Sequence, residues 1–217
     1  MVAPGDRGRF MVLTGIDGSG KSSLLSLIAI ASLTTAGWRD LRHHELPAVM
    51  APDEPTLIKN SMSSLPRAMF IGGHIVAQYE HLVRPQLELG VDVLLDSYWY
   101  KVMAKEHILG TSHPILADLC GALPVPDAVI LLEVDPRVAY LRKRDSLTSY
   151  ECMGTTDMKG FIRFQGRLRD RLEEELAGHP ALYRVDADRD LRSVLRSATD
   201  VVQQCAPTSA RMPEQLV

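Results

Sequence analysis

Apolar residues in this chain fall into short runs, and the runs alternate between two periodicities. Phe10-Met11-Val12-Leu13 predicts a first strand over 9–15. The stretch after it predicts a helix over 21–36, ended by Gly37. Leu46-Pro47-Ala48-Val49-Met50 predicts a short second strand, leading into a stiff, non-helical loop over 51–56 enforced by Pro52 and Pro55. Residues 57–89 read as mostly helical with a break at Pro66, and Phe70, Ile71, His74, Ile75, Gln78 and Leu82 share one helical face. Pro85 marks a kink or boundary and Gly90 the end of the segment. Residues 91–96 read as a buried parallel strand that ends in an acid, and 97–101 open another helix. A short helical segment closes over 116–121, and 128–134 form a strongly apolar fourth strand. Asp135 caps a helix over 136–144 with Pro136 in its first turn. Residues 145–156 read as a flexible connection, 157–177 as a charged helix, 181–185 as a fifth strand and 189–204 as a last helix. Strands alternating with helices predict an α/β fold: a five-stranded, mostly parallel sheet with helices on both faces. The expected organisation is one domain over 1–205, with a short lid at about 142–156 and a flexible tail over 206–217.

Between the first strand and the first helix lies Gly15-Ile16-Asp17-Gly18-Ser19-Gly20-Lys21-Ser22, which matches G-x-x-x-x-G-K-[ST] in the strand–loop–helix context that motif requires. Its glycines let backbone N–H groups turn inward around phosphate oxygens, and the helix start adds a positive end. Gly15, Asp17, Gly18, Ser19, Gly20, Lys21, Ser22 and Ser23 are therefore the candidate triphosphate-binding residues, with Lys21 on the outer phosphates and the Ser22 hydroxyl on Mg²⁺.

Composition narrows the classes. At 217 residues with 46% apolar and 24% charged residues, the chain can bury a substantial core. A net charge of −3 argues against broad nucleic-acid binding. No uncharged run reaches the ~18 residues a membrane span needs, and no long apolar leader precedes the first strand. Three scattered cysteines, Cys120, Cys152 and Cys205, form no C-x-x-C pair and read as buried thiols of a reducing cytoplasm. The histidines show no metal-ligand spacing with them, so no zinc site is expected.

With these residues in view, the chain resembles the thymidylate kinase branch of the P-loop nucleoside and nucleotide kinases. Its P-loop is very close to that family's. Asp53-Glu54-Pro55-Thr56 falls where the family has Arg-Glu-Pro-Gly, and Asp96-Ser97-Tyr98 where it has Asp-Arg-Tyr or Asp-Arg-His. Leu131–Pro136 followed by Arg142-Lys143-Arg144 resembles its strand, helix and arginine-bearing lid, and Val185-Asp186-Ala187 its last strand and the loop beside the adenine. The resemblance implies a P-loop kinase fold, ATP and Mg²⁺ as cofactors, a small nucleotide or nucleoside-like acceptor, and a homodimer. It also implies that Asp17 faces a sugar hydroxyl of the acceptor. Asp96 is expected to act as a water-linked Mg²⁺ carboxylate or as a base, and the plain alternative is an N-cap of the next helix. Arg142 and Arg144 are the lid cations expected to cover ATP and reach the transferring phosphoryl group, because the P-loop itself has Ser19 and no arginine. A helix C-terminus favours cations in any case. Phe70, His74, Ser97 and Tyr98 are candidate acceptor contacts, with core packing the simpler account for the aromatics.

Three departures from the family pattern bear on the acceptor. Places where the family has phosphate-binding arginines hold Asp53, Ile75 or its neighbour His74, and Ser97. Each lost charge-assisted hydrogen bond costs on the order of 1.5–3 kcal/mol, although Lys59, Arg67 and Lys101 could compensate. A monophosphate acceptor arrives ionised, whereas a hydroxyl acceptor calls for a general base, for which Glu54 and Asp96 are the candidates. Glu54 could equally be a solvated loop acid. Two other classes stay open: a nucleotide-driven switch, which lacks its guanine-reading motif here because Asn60 is the only asparagine, and a binder without turnover.

Overall fold

The computed structural model describes residues 7–28, 33–37, 62–152 and 154–205. The predicted strand over 46–50 and the candidate residues Asp53 and Glu54 lie outside them, as do 206–217.

Five strands form one all-parallel sheet: β1 (Phe10–Gly15), β2 (Leu33–Ala36), β3 (Asp92–Asp96), β4 (Ala128–Glu133) and β5 (Leu182–Asp186), in the order β2-β3-β1-β4-β5. β1 is central and buried along its whole length, which is why it reads as an unbroken apolar run rather than an alternating one. Phe10 pairs with Val93, Leu13 with Asp96 and Gly15 with Leu132, so the carboxyl ends of β1, β3 and β4 finish side by side. In parallel α/β sheets ligands bind at that edge.

Helices occupy both faces, as parallel crossovers require. They are α1 (Lys21–Leu27), α2 (Ser64–Gln78) continuing through a π turn (Tyr79–Val83) into α3 (Arg84–Glu88), α4 (Trp99–Ile108), α5 (Pro114–Gly121), α6 (Pro136–Lys143), α7 (Met158–Leu176) and α8 (Leu191–Gln204). α1 packs with α8, α4 with α7, and α2 with α5. The core between sheet and helices is aliphatic and aromatic, with Phe10, Phe161 and Phe164 its largest fully buried side chains. At the end of the chain Arg9 fastens α8: its guanidinium holds Asp92 at 2.6 Å and donates to the carbonyls of Val202 (2.8 Å) and Cys205 (2.7 Å). Cys120, Cys152 and Cys205 are free and buried.

The structure corrects several sequence readings. The helix predicted over 21–36 stops at Leu27; Ile28 is already extended, and Leu33-Thr34-Thr35-Ala36 is the edge strand β2. Two adjacent β-branched threonines favour a pleated strand over a helix. Pro66 breaks nothing. It is the third residue of α2, where its missing N–H would have had no helical partner. Pro85 acts one turn earlier than its own position, because its ring would clash with the carbonyl of the preceding turn. The helix widens there into the π turn Tyr79–Val83. The connection expected to be flexible contains two 3₁₀ turns, Arg144–Ser146 and Ser149–Glu151. A reciprocal capping box between Thr148 and Glu151 fixes the second, and Glu151 and Cys152 are buried.

Candidate active site

A cleft of about 790 Å³ opens at the carboxyl edge of the sheet. The P-loop forms its floor, Asp96, Ser97 and Lys101 one wall, and Arg142, Lys143 and Glu151 of the 142–151 stretch another. A further side comes from Ala187, Arg189 and the start of α8 at Leu191 and Val194.

The P-loop has the shape its sequence predicts. Gly18 and Gly20 adopt φ of 82° and 95°. A β-carbon at Gly18 would lie 2.6 Å from the Ala139 carbonyl, whereas one at Gly20 would meet open space, so Gly20 is required for its backbone conformation and not for room. Gly20 is the N-cap of α1 and supplies no side-chain acceptor to the first N–H groups of that helix. Lys21 is buried and donates to the carbonyls of Gly15 (3.2 Å) and Ile16 (3.1 Å) and to Ser19 Oγ (3.4 Å). Burial, together with the neighbouring ammonium of Lys101, pushes Lys21 down to about 7, against the pull of Asp96 and Asp17.

Asp17 forms the second half of the site. Its Oδ1 accepts from Lys101 Nζ at 2.8 Å, and its Oδ2 lies 2.9 Å from Lys105 Nζ and accepts from Gln165 Nε2 at 3.0 Å. The Asp17 N–H donates back to Gln165 Oε1 at 2.9 Å. Burial alone would raise this carboxyl, but Lys101, Lys105 and Lys21 overcome it and hold it well below the usual carboxylate range. Gln165 Nε2 also donates to the Glu151 carbonyl at 3.1 Å, so one amide ties the P-loop to the 3₁₀ turn Ser149–Glu151. Tyr150 of the same turn covers Lys105, whose ammonium is 4.6 Å from the ring centroid. Behind it, Arg67 and Glu106 form a buried fork with contacts of 2.5 and 2.7 Å.

The predicted site residues divide into three groups. Gly18, Ser19, Gly20, Lys21, Ser22, Ser23, Asp17, Asp96, Ser97 and Arg142 all line the cleft. Asp96 does not cap the next helix, because the N-cap of α4 is Tyr98. Ser97 has φ of 60°, an uncommon conformation for a non-glycine residue, with its N–H held by the Leu13 carbonyl at 2.9 Å. A second group is absent from the cleft lining, beginning with Gly15 at the end of β1. Tyr98 is buried in the core, its ring edge-on to Phe10 at 5.2 Å and its hydroxyl on the Pro124 carbonyl at 3.3 Å. Phe70 and His74 lie in the buried stripe of α2 with Ile71 and Ile75. Arg144 is exposed and points at Asp145, while its neighbour Lys143 is bonded to Glu151. The third group is Glu54, outside the described residues.

Lys105 and Gln165 escaped the sequence reading, yet each left a trace. Lys101 and Lys105 are four apart and so share a helix face. Gln165 is a polar residue in the apolar stripe Phe161, Phe164, Leu168, Leu172 of α7.

No family model matches the chain. It is 25% identical over 213 residues to the probable thymidylate kinase of Pyrobaculum aerophilum, covering 90% of this chain and 96% of that protein. It is 26% identical over 208 residues to the thymidylate kinase of Schizosaccharomyces pombe, covering 91% and 92%. A probable thymidylate kinase of Pyrococcus abyssi is 28% identical over 155 residues, 64% of this chain and 71% of that one. The chain is thymidylate kinase-like. Similarity to these kinases points to ATP and Mg²⁺ as cofactors and to phosphoryl transfer as the reaction. The residues present fit those cofactors: an uncapped helix start, a glycine cradle open to the cleft at Gly20, a buried lysine folded over its own loop, and a hydroxyl and a carboxylate at Ser22 and Asp96. Among the described residues no helix is long and apolar enough to cross a membrane.

Proposed function

We propose that the chain transfers the terminal phosphoryl group of ATP to a nucleoside monophosphate of the thymidylate type. The observation that carries the choice of acceptor is the lysine pair of α4. Lys101 and Lys105 are buried beside the P-loop and, among the described residues, share the single carboxylate of Asp17, with Lys21 close by. A neutral acceptor leaves the transferring phosphoryl group as the one substrate anion facing this surplus, whereas a phosphate monoester adds a second. The pair supplies charge that the three missing arginines would otherwise bring.

In this reading Lys21 and the first N–H groups of α1 hold the outer phosphates, and Arg142 covers the nucleotide from the lid. Ser22 and, through water, Asp96 hold Mg²⁺, which neutralises charge on the phosphate oxygens when bound. Gln165 and Tyr150 keep the lid turn against the P-loop and exclude water from the lysine end. Catalysis is then mostly positioning and charge neutralisation.

One observation favours a second reading. Asp96 lines the cleft and is free of capping duty, so its carboxylate is available as a base toward a hydroxyl acceptor, alone or with Glu54. Acceptor-dependent ADP release separates the two. Thymidine monophosphate and other nucleoside monophosphates should be used far better than the matching nucleosides. Faster use of the nucleosides would replace the first reading with the second, and ADP release indifferent to any acceptor would sink both. The resemblance also implies a homodimer, which light scattering of the purified protein would test.

A further inference from the structure

Phosphoryl transfer needs a cation at the transferring group in addition to the P-loop lysine. The P-loop offers Ser19 rather than an arginine. Of the cations at 142–144, Arg144 faces away toward Asp145 and Lys143 is bonded to Glu151, while Arg142 lines the cleft and is assigned above to the bound nucleotide. Lys101 projects from the first turn of α4 into the same cleft as Lys21 and Asp96, is only 7% exposed, and lies close enough to Lys21 for the two ammonium groups to repel. Its partner Asp17 also carries Lys105, so three ammonium groups surround one carboxylate. Two like charges are held side by side out of water most cheaply when an anion is to sit between them.

We infer that Lys101 is a catalytic residue that contacts the transferring phosphoryl group from the α4 side, beside Lys21, while Asp17 and Lys105 position it. Asp17 fixes the ammonium through Oδ1 while Gln165 and Lys105 hold Oδ2, so the carboxylate cannot swing away when Lys101 turns toward phosphate. Lys105 itself is not among the cleft-lining residues, which fits a supporting role.

The inference rests on phosphoryl transfer as the reaction but not on which acceptor is used, and its test keeps the two apart. The probe is ADP with Mg²⁺, aluminium fluoride and whichever acceptor supports ADP release by the unaltered protein, a mimic of the planar transferring group, with ATP alone as the ground-state reference. In the unaltered protein the fluoride should tighten ADP binding by about 100-fold, the scale of one preorganised charge contact in a transition state. Lys101→Gln should lose that tightening while binding ATP within about 3-fold of the unaltered protein, since Lys21 and the P-loop remain. Lys101→Arg, which preserves the ion pair to Asp17 and guards against a folding defect, should recover part of it. Equal fluoride affinity in the unaltered protein and Lys101→Gln, whether both tighten or neither does, overturns the inference. So does a loss of ATP binding in step with the loss of tightening. The acceptor reading is judged separately, by ADP release from the unaltered protein.

Discussion

The P-loop half of the cleft is one continuous stretch, Gly15 to Ser22, whereas the lysine half is assembled from α4, α7, the lid turn and one P-loop carboxylate. In the first half, the chemistry is carried by backbone N–H groups whose directions follow from glycine positions and a helix start, so a short local pattern specifies it. In the second half, Asp17 meets Gln165, which is 148 residues away, and Lys101, 84 residues away. Such a site exists only after the sheet has closed. It is also more highly strung, because it buries charges whose cost depends on every partner being present.

The largest effect should come from the local half. Lys21→Met should lower turnover about 1000-fold, the upper scale for removing a cation that stabilises transferred charge, and calorimetry should register the loss of ATP binding. Should turnover survive that change, the cations of the other half must carry more of the reaction than the comparison allows. Next, Asp17→Asn leaves Lys101 and Lys105 without their carboxylate. Removing one partner of a buried ion pair costs about 3–5 kcal/mol, and urea unfolding should read a loss of that order; a loss under about 1 kcal/mol would mean that water reaches the lysines.

The same carboxylate gives the halves different pH behaviour. The folded-state pKa of Asp17 lies below its unfolded value of about 4. Its ion pairs therefore contribute fully above about pH 4, and that contribution is lost as pH falls through the lower, folded value. Stability measured from pH 5 to pH 2 should fall more steeply in the unaltered protein than in Asp17→Asn. Parallel curves would assign the acid sensitivity elsewhere. Arg142→Gln should raise the KM for ATP about 10-fold, one charge-assisted contact, with little change for the acceptor. Arg144→Ala should alter neither constant by more than about 2-fold, as expected of an exposed pair.

The apolar runs of β1, β3, β4 and β5 were legible because buried parallel strands carry few polar residues. β2 was not, because its four residues follow directly on a helix-period stretch and contain only one buried position. Within the site, Asp96 and Ser97 were found from their place at a strand end. Phe70, His74 and Tyr98 were assigned to the acceptor because aromatic and polar residues on a helix face read the same whether they face the core or a ligand. The structure buries all three. Lys105 and Gln165 needed tertiary context, since only the packing of α4 against α7 brings them to Asp17.

The neighbouring ammonium groups of Lys21 and Lys101 also have a practical bearing. A pocket of this kind attracts any small multivalent oxyanion, so sulfate or inorganic phosphate in a buffer acts as a competitor of substrate. Assays in a zwitterionic, chloride-poor medium should report the true affinities, and crystallisation from sulfate should reveal where a terminal phosphate rests.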